Sequence, residues 1–391
     1  MPTVFFFPWI QSIEAVELEG LGLRLVPYRR GSEPAGAGDA WQAALDGVLG
    51  NYGDRSTLSL DGDPRPVQSA TLVEWVNDSI DTKHTDQTLD DRMQVGQWIA
   101  FSALACRRFG SHFDYCNYDD LQFIAQNFEI SNPRAVAFSG RRRDGGSVSY
   151  LSVSKEAPTF LRPHHAQAER VKLDASLLNA LLKLEPSAFM EKVSSAISVF
   201  VRANTDAPGF PAQSELTLMR VACETLLESG YKTECVQDAF NKHFELDLPV
   251  PAEWGVGALT ETTWRRCYPK WVSRPIDAWV QDFCASRNRG AHGKDPNAKH
   301  PEPVWSVENH LLFISWLFPL MVKKELADVG LYELSDYDKD FRSSIEQFFA
   351  HNIFARNDAN KLAWCEVVDE IESRDLGRLI EKNAAKVLSN G

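Results

Sequence analysis

No apolar run in this sequence is long enough to cross a bilayer. The longest, TVFFFPWI near the start and HLLFISWLFPLMV at 310 to 322, fall well short of the ~20 residues a membrane helix requires. The first residues also lack the positive n-region and the small-residue cleavage site of a secretory signal, so a cytoplasmic protein with no membrane partner is expected. Cysteine is sparse: seven residues, at 106, 116, 223, 235, 267, 284 and 365, odd in number and never spaced C-x-x-C. That pattern speaks against a disulfide framework or a structural zinc site and for reduced, mostly buried thiols. Positive charge is in deficit, 41 Lys and Arg against 54 Asp and Glu, and the net of -13 argues against a protein coated in nucleic acid. No period of 20 to 50 residues repeats itself, which disfavours a solenoid.

What remains is an ordinary globular composition, 44% apolar and 24% charged, on a chain of 391 residues. That length favours two domains, each large enough to bury a core. The first part reads as mixed α and β. TVFFFPW, LGLRLVPY and SATLVEWV look like strands, and LDDRMQVGQWIAFSALACRRF like a helix with apolar residues at three- and four-residue steps. RAVAFSGRRRDGGSVSYLSV predicts a hairpin, because Asp144-Gly145 suits a tight turn. The stretch RRGSEPAGAGD reads as a Gly- and Pro-rich loop.

Beyond residue 173 the β signals fade. Asp174 can cap a helix over ASLLNALLKL, and FMEKVSSAISVFVRAN is the next helix, stopped by TDAPGFP. QSELTLMRVACETLLESG follows, with Gly230 read as its C′ stop, and then TECVQDAFNKHF. RPIDAWVQDFCASRNRGAH starts with proline at an N1-like position, and three further helical segments run to the end. The expectation is an α+β domain over 1–172 and an all-α bundle over 173–391, its last helices an extension.

The stretch that carries chemistry is SRNRGAH, where Arg287, Asn288 and His292 end a helix around Gly290. Spacing alone is weak, since Arg followed five positions later by His should occur roughly 0.6 times in a shuffled chain of this composition. It occurs twice: Arg107 and His112 form an internal decoy. Asn288 separates the two, because positions 288 and 292 lie ~40° apart on one helical face, whereas the decoy has Arg108 there. Arg287 lies ~140° from His292 on a regular helix, and Gly290 is expected to let the backbone relax and bring them together. Between 260 and 300, eight basic residues face four acidic ones, a local net of +4 in an acidic chain. The plain structural alternative is a Gly-rich helix stop with basic side chains on the last carbonyls.

RNRGAH resembles the active-site signature of the HEPN superfamily, helical domains that are often metal-independent ribonucleases. AISVFVRANTDAPGFPAQSELTLMRVACETLLE is similar to the first helices of its bacterial members, where an acidic residue lies within an apolar helix as Glu224 does here. The resemblance covers roughly residues 190 to 330. It implies an endoribonuclease in which Arg287, Asn288 and His292 are catalytic and two protomers face each other, with no metal or cofactor required. By analogy, a toxin or antiviral defence effector is implied, with the N-terminal domain as sensor or restraint.

Arg266, Lys270, Arg289 and Lys294 are the candidate RNA contacts. Glu224 is either a carboxylate supporting the arginine or the polar edge of an amphipathic helix. Trp264, Tyr268, Trp271 and Trp279 read first as core aromatics and secondly as base-stacking residues. His164 and His165 lack a third ligand at recognisable spacing and read as linker. The catalytically silent alternative is a dimerisation module that holds a nucleotide, RNA or protein.

Overall fold

The computed structural model describes residues 2–12, 16–18, 22–31, 39–54, 65–75, 84–109, 114–129, 131–141, 143–144, 147–153, 158–168, 170–244, 275–292, 303, 305–342 and scattered positions between 373 and 385. Two compact units emerge: Met1–Leu184 with Asn204–Gly209, and Glu185–Ala203 with Phe210–Gly391.

The first unit runs β1 (Thr3–Phe7), β2 (Gln11–Ser12), β3 (Val16–Leu18), β4 (Leu23–Arg29), α1 (Asp39–Leu49), β5 (Tyr52–Asp54), β6 (Arg65–Pro66), β7 (Ser69–Trp75), α2 (Asp86–Cys106), β8 (Ile124–Glu129), β9 (Asn132–Arg141), β10 (Ser147–Val153), β11 (Phe160–Leu161), β12 (Arg170–Val171) and α3 (Ala175–Leu182). Seven strands form one sheet in the order β10-β9-β8-β1-β7-β4-β3, every neighbour antiparallel. β1 is central, and its sequence shows why. Val4 to Phe7 are apolar and buried at successive positions, which suits a strand covered on both faces. Phe6 joins the core shared with Ala44, Leu45, Val48 and Leu49 of α1. Phe5 and Phe7 point the other way, against Phe123, and α2 covers that face. Gly96 of α2 permits the approach, since a Cβ there would meet the Phe123 ring at 2.0 Å.

The expected hairpin is present: β9 and β10 pair from Ala135 with Val153 to Arg141 with Ser147. The expected break after residue 172 moves to Leu184. The reason is packing. α3 is capped by Asp174, whose Oδ1 accepts from Leu177 N at 2.9 Å, while Asp174 N donates to Ser102 O of α2 at 3.2 Å. Leu177, Leu178 and Leu181 are buried, so α3 closes the first unit.

The second unit is helical: α4 (Ala188–Arg202), α5 (Ala212–Leu226), α6 (Thr233–Phe244), α7 (Pro275–His292) and α8 (Val307–Asp328). α5 packs against α4, α7 and α8, and α6 packs on α7. Phe200 of α4 stacks on Phe318 of α8 with centroids 4.4 Å apart. Trp279 of α7 sits fully buried among Phe240, Phe283 and Phe313, so it is a core aromatic and not a base-stacking one. Trp264, Tyr268 and Trp271 lie outside the described residues. Among the described residues, no helix is long and apolar enough to cross a membrane.

The end of α5 departs from expectation. Its last turn closes through Ser229 N to Glu224 O at 3.0 Å and Glu228 N to Thr225 O at 3.3 Å, a Schellman turn with Glu228 in the left-handed region at φ 50°. Gly230 is therefore not the stop. Its lack of a side chain serves the next helix instead, because a Cβ there would lie 3.1 Å from Cys235 Sγ.

Candidate functional site

The site is built where α5 meets the end of α7. α5 carries a buried stripe of Leu216, Met219, Cys223 and Leu226, and Arg220 lies on that stripe with 2% exposure. A guanidinium held in such surroundings must have its donors satisfied. Arg220 Nε donates to Glu224 Oε1 at 2.7 Å, one turn along. Nη2 donates to Tyr231 O at 2.9 Å, and Nη1 to Asn288 Oδ1 at 3.2 Å. The Schellman turn returns the chain so that the Tyr231 carbonyl meets this fork.

Asn288 Oδ1 takes a second donor, Arg287 Nη1, at 3.1 Å. Two guanidinium groups thus converge on one amide oxygen, which fixes the amide's orientation, since only the oxygen can accept. Arg287 Nε is buried with no hydrogen-bond partner among the described residues, and no carboxylate there pairs with Arg287. Glu224 offsets the charge of Arg220. Beneath the cluster, Gln213 Nε2 donates to Ser286 O at 3.0 Å and ties the two helices together one residue before Arg287. Burial pushes the Cys284 thiol up to about 11, against the opposing pull of Arg220 and a Thr233 hydrogen bond, so this thiol is neutral and no nucleophile at pH 7.

The helix itself corrects one expectation. α7 continues through Gly290 to His292, so Gly290 does not open the backbone, and positions 287 and 292 keep their ~140° helical separation. The arm of Arg287 folds onto Asn288, and position 288 lies ~40° from 292 around the axis. The His292 side chain lies outside the described residues.

Of the other candidates, Arg289 is exposed on α7, while Arg266, Lys270 and Lys294 lie outside the described residues. Glu224 touches Arg220, which in turn holds Asn288, a link that neither sequence reading contained. The decoy is structural: Arg107 is buried, stacks over Phe109 at 4.6 Å and donates to Asn204 Oδ1, while His112 lies outside the described residues. His165 Nε2 meets Asp119 Oδ2 at 2.7 Å, and among the described residues no three of His, Cys, Asp and Glu gather as a metal site would require.

Arg220 is the functional residue that sequence reasoning missed. Its signal was an arginine at the apolar positions of α5, four residues after Leu216 and three before Cys223. The fold and the cluster together define a helical unit with an oriented cationic group at the end of one helix. Comparison with protein-family models, curated proteins and solved structures returns no match to this chain.

Proposed function

We propose that the helical unit is a HEPN-like, metal-independent endoribonuclease that acts as a homodimer through Arg287, Asn288 and His292. RNA carries its own nucleophile. A base removes the ribose 2′-OH proton, O2′ attacks the adjacent phosphorus, and the P–O5′ bond breaks as the leaving oxygen takes a proton. The products end in a 2′,3′-cyclic phosphate and a 5′-OH. Imidazole is the side chain whose ordinary pKa suits this transfer, which makes His292 the candidate base, and a second copy across the dimer would supply the acid to match it. Arg287 is a permanent cation with a planar fork that matches the charged, crowded phosphate of the transition state. Asn288, its oxygen committed to two arginines, offers Nδ2 as a donor to a phosphate oxygen or to an imidazole nitrogen.

The observation that carries this reading is the convergence of Arg220 and Arg287 on Asn288 Oδ1 at 3.2 and 3.1 Å. Such a cluster is preorganised before any substrate arrives, which is where electrostatic stabilisation gains most. Arg289, Lys294, Arg266 and Lys270 would extend the cationic field along the strand. The N-terminal unit would sense a trigger or restrain cleavage, and a toxin or phage-defence role in the cytoplasm follows by analogy.

A second reading has an observation of its own. The unbroken helix through Gly290 keeps positions 287 and 292 on different faces of one protomer, as a silent binding module would tolerate. Incubation of the purified protein with total cellular RNA in EDTA, beside Arg287→Ala and His292→Ala, separates the two. The nuclease reading expects cleavage by the parent protein and its loss in both variants. Cleavage abolished by chelation, or undiminished in either variant, overturns it.

A further inference from the structure

We propose that Tyr231 is a base-stacking platform and that the polymer it takes is single-stranded RNA, held with a phosphate at Arg287 and the adjoining base on the phenol ring. The ligand class rests on the nucleic-acid reading above; cleavage is not needed for it. Tyr231 is 81% exposed, the highest value among the exposed large hydrophobic residues described. A lone exposed aromatic means little by itself. This one is distinguished by how its backbone is held.

Its carbonyl accepts from Arg220 Nη2 at 2.9 Å, and that guanidinium is buried. The preceding Gly230 lies against Cys235, and the Schellman turn at Glu228 fixes the approach. A ring on such a clamped backbone stacks at a smaller ordering cost than one on a free loop. The other terminal nitrogen of the same guanidinium holds Asn288, which holds Arg287. One guanidinium therefore links the backbone of the aromatic residue, through Asn288, to the phosphate-matching cation. Lys232, next in sequence, is exposed and adds a second cation to this segment. Glu234 is exposed nearby, while Glu228 is engaged by Lys192 at 3.6 Å.

Stacking of this kind accepts any base but needs its face open, which a duplex does not offer. The test uses 2′-O-methyl oligoadenylate, which cannot attack its own phosphate, and an abasic 2′-O-methyl strand of equal length, each bound to the full chain and followed by fluorescence anisotropy. The parent protein and Tyr231→Phe should prefer the base-bearing strand, and Tyr231→Ala should lose about tenfold in affinity for it while binding the abasic strand unchanged. Equal affinity of parent and Tyr231→Ala for oligoadenylate overturns the proposal, as does tighter binding of duplex than of single strand. Stacking without any cleavage of all-ribose RNA would leave this proposal standing and sink the nuclease alone. Cleavage with no dependence on Tyr231 would do the reverse.

Discussion

Replacing Arg220 by methionine separates its structural duty from its effect on the site. The side chain is 2% exposed and makes three hydrogen bonds, to Glu224, Tyr231 O and Asn288 Oδ1. Methionine fills much the same space, so little cavity arises, but the Glu224 carboxylate loses its cation. Removing one partner of a buried ion pair costs about 3–5 kcal/mol. Glu224 is 20% exposed at its side chain, and water can reach part of it, so the lower end applies. A loss of ~3 kcal/mol lowers the melting temperature of a unit this size by roughly 6–12 °C, read by far-UV circular dichroism, to which the helical unit contributes most. Changing Glu224 to methionine as well strands no charge, and the double variant should recover most of that loss. It should not recover RNA cleavage, because Asn288 would keep only Arg287 to orient it. An Arg220→Met variant that melts like the parent, a double variant that melts as low as the single, or a double variant that cleaves RNA at the parent rate would each contradict this role for Arg220.

Three further outcomes are expected. Glu228→Gly relieves a left-handed residue at φ 50° and should stabilise by about 1 kcal/mol, raising the melting temperature by ~2–4 °C; a lower value would mean that the contact with Lys192 outweighs the backbone. Gly96→Ala places a methyl 2.0 Å from the Phe123 ring and should cost about 1–3 kcal/mol or more, seen as an early loss of the first unit's near-UV signal on heating. Glu325 is raised by burial, yet hydrogen bonds from His243 and Lys192 outweigh this and hold it down at about 2. Its folded value is depressed below the ordinary 4.5, so its contribution is whole above that pH and fades as pH falls toward 2. Acid unfolding of Glu325→Gln should be less steep in that window than that of the parent, and an identical slope would refute the assignment.

Much of the fold was legible in particular residues. TVFFF was legible as a strand, Asp174 marked a cap, and Pro275 marked the start of α7. The strand order was not legible, because it depends on pairings between β1, β7 and β8 that lie far apart in sequence. Nor was the boundary at Leu184, since the apolar stripe of α3 would read the same whichever unit it joined. Gly230 misled because glycine serves both left-handed turns and close approaches, and here it serves the second. In the site, Asn288 was legible as the residue distinguishing RNRGAH from the decoy. Arg220 was hidden, for its role arises from a contact 68 residues away that no local pattern encodes.

If the end of α7 makes RNA attack its own strand, as proposed, one substrate pair shows it directly. An all-ribose oligonucleotide and a twin carrying 2′-deoxyribose at each cleaved position are incubated with the protein in EDTA, and the product ends are mapped. Cleavage of the first alone is expected, leaving 2′,3′-cyclic phosphate termini. Cleavage of the deoxy twin at the same positions, or 3′-hydroxyl termini on the products, would contradict it.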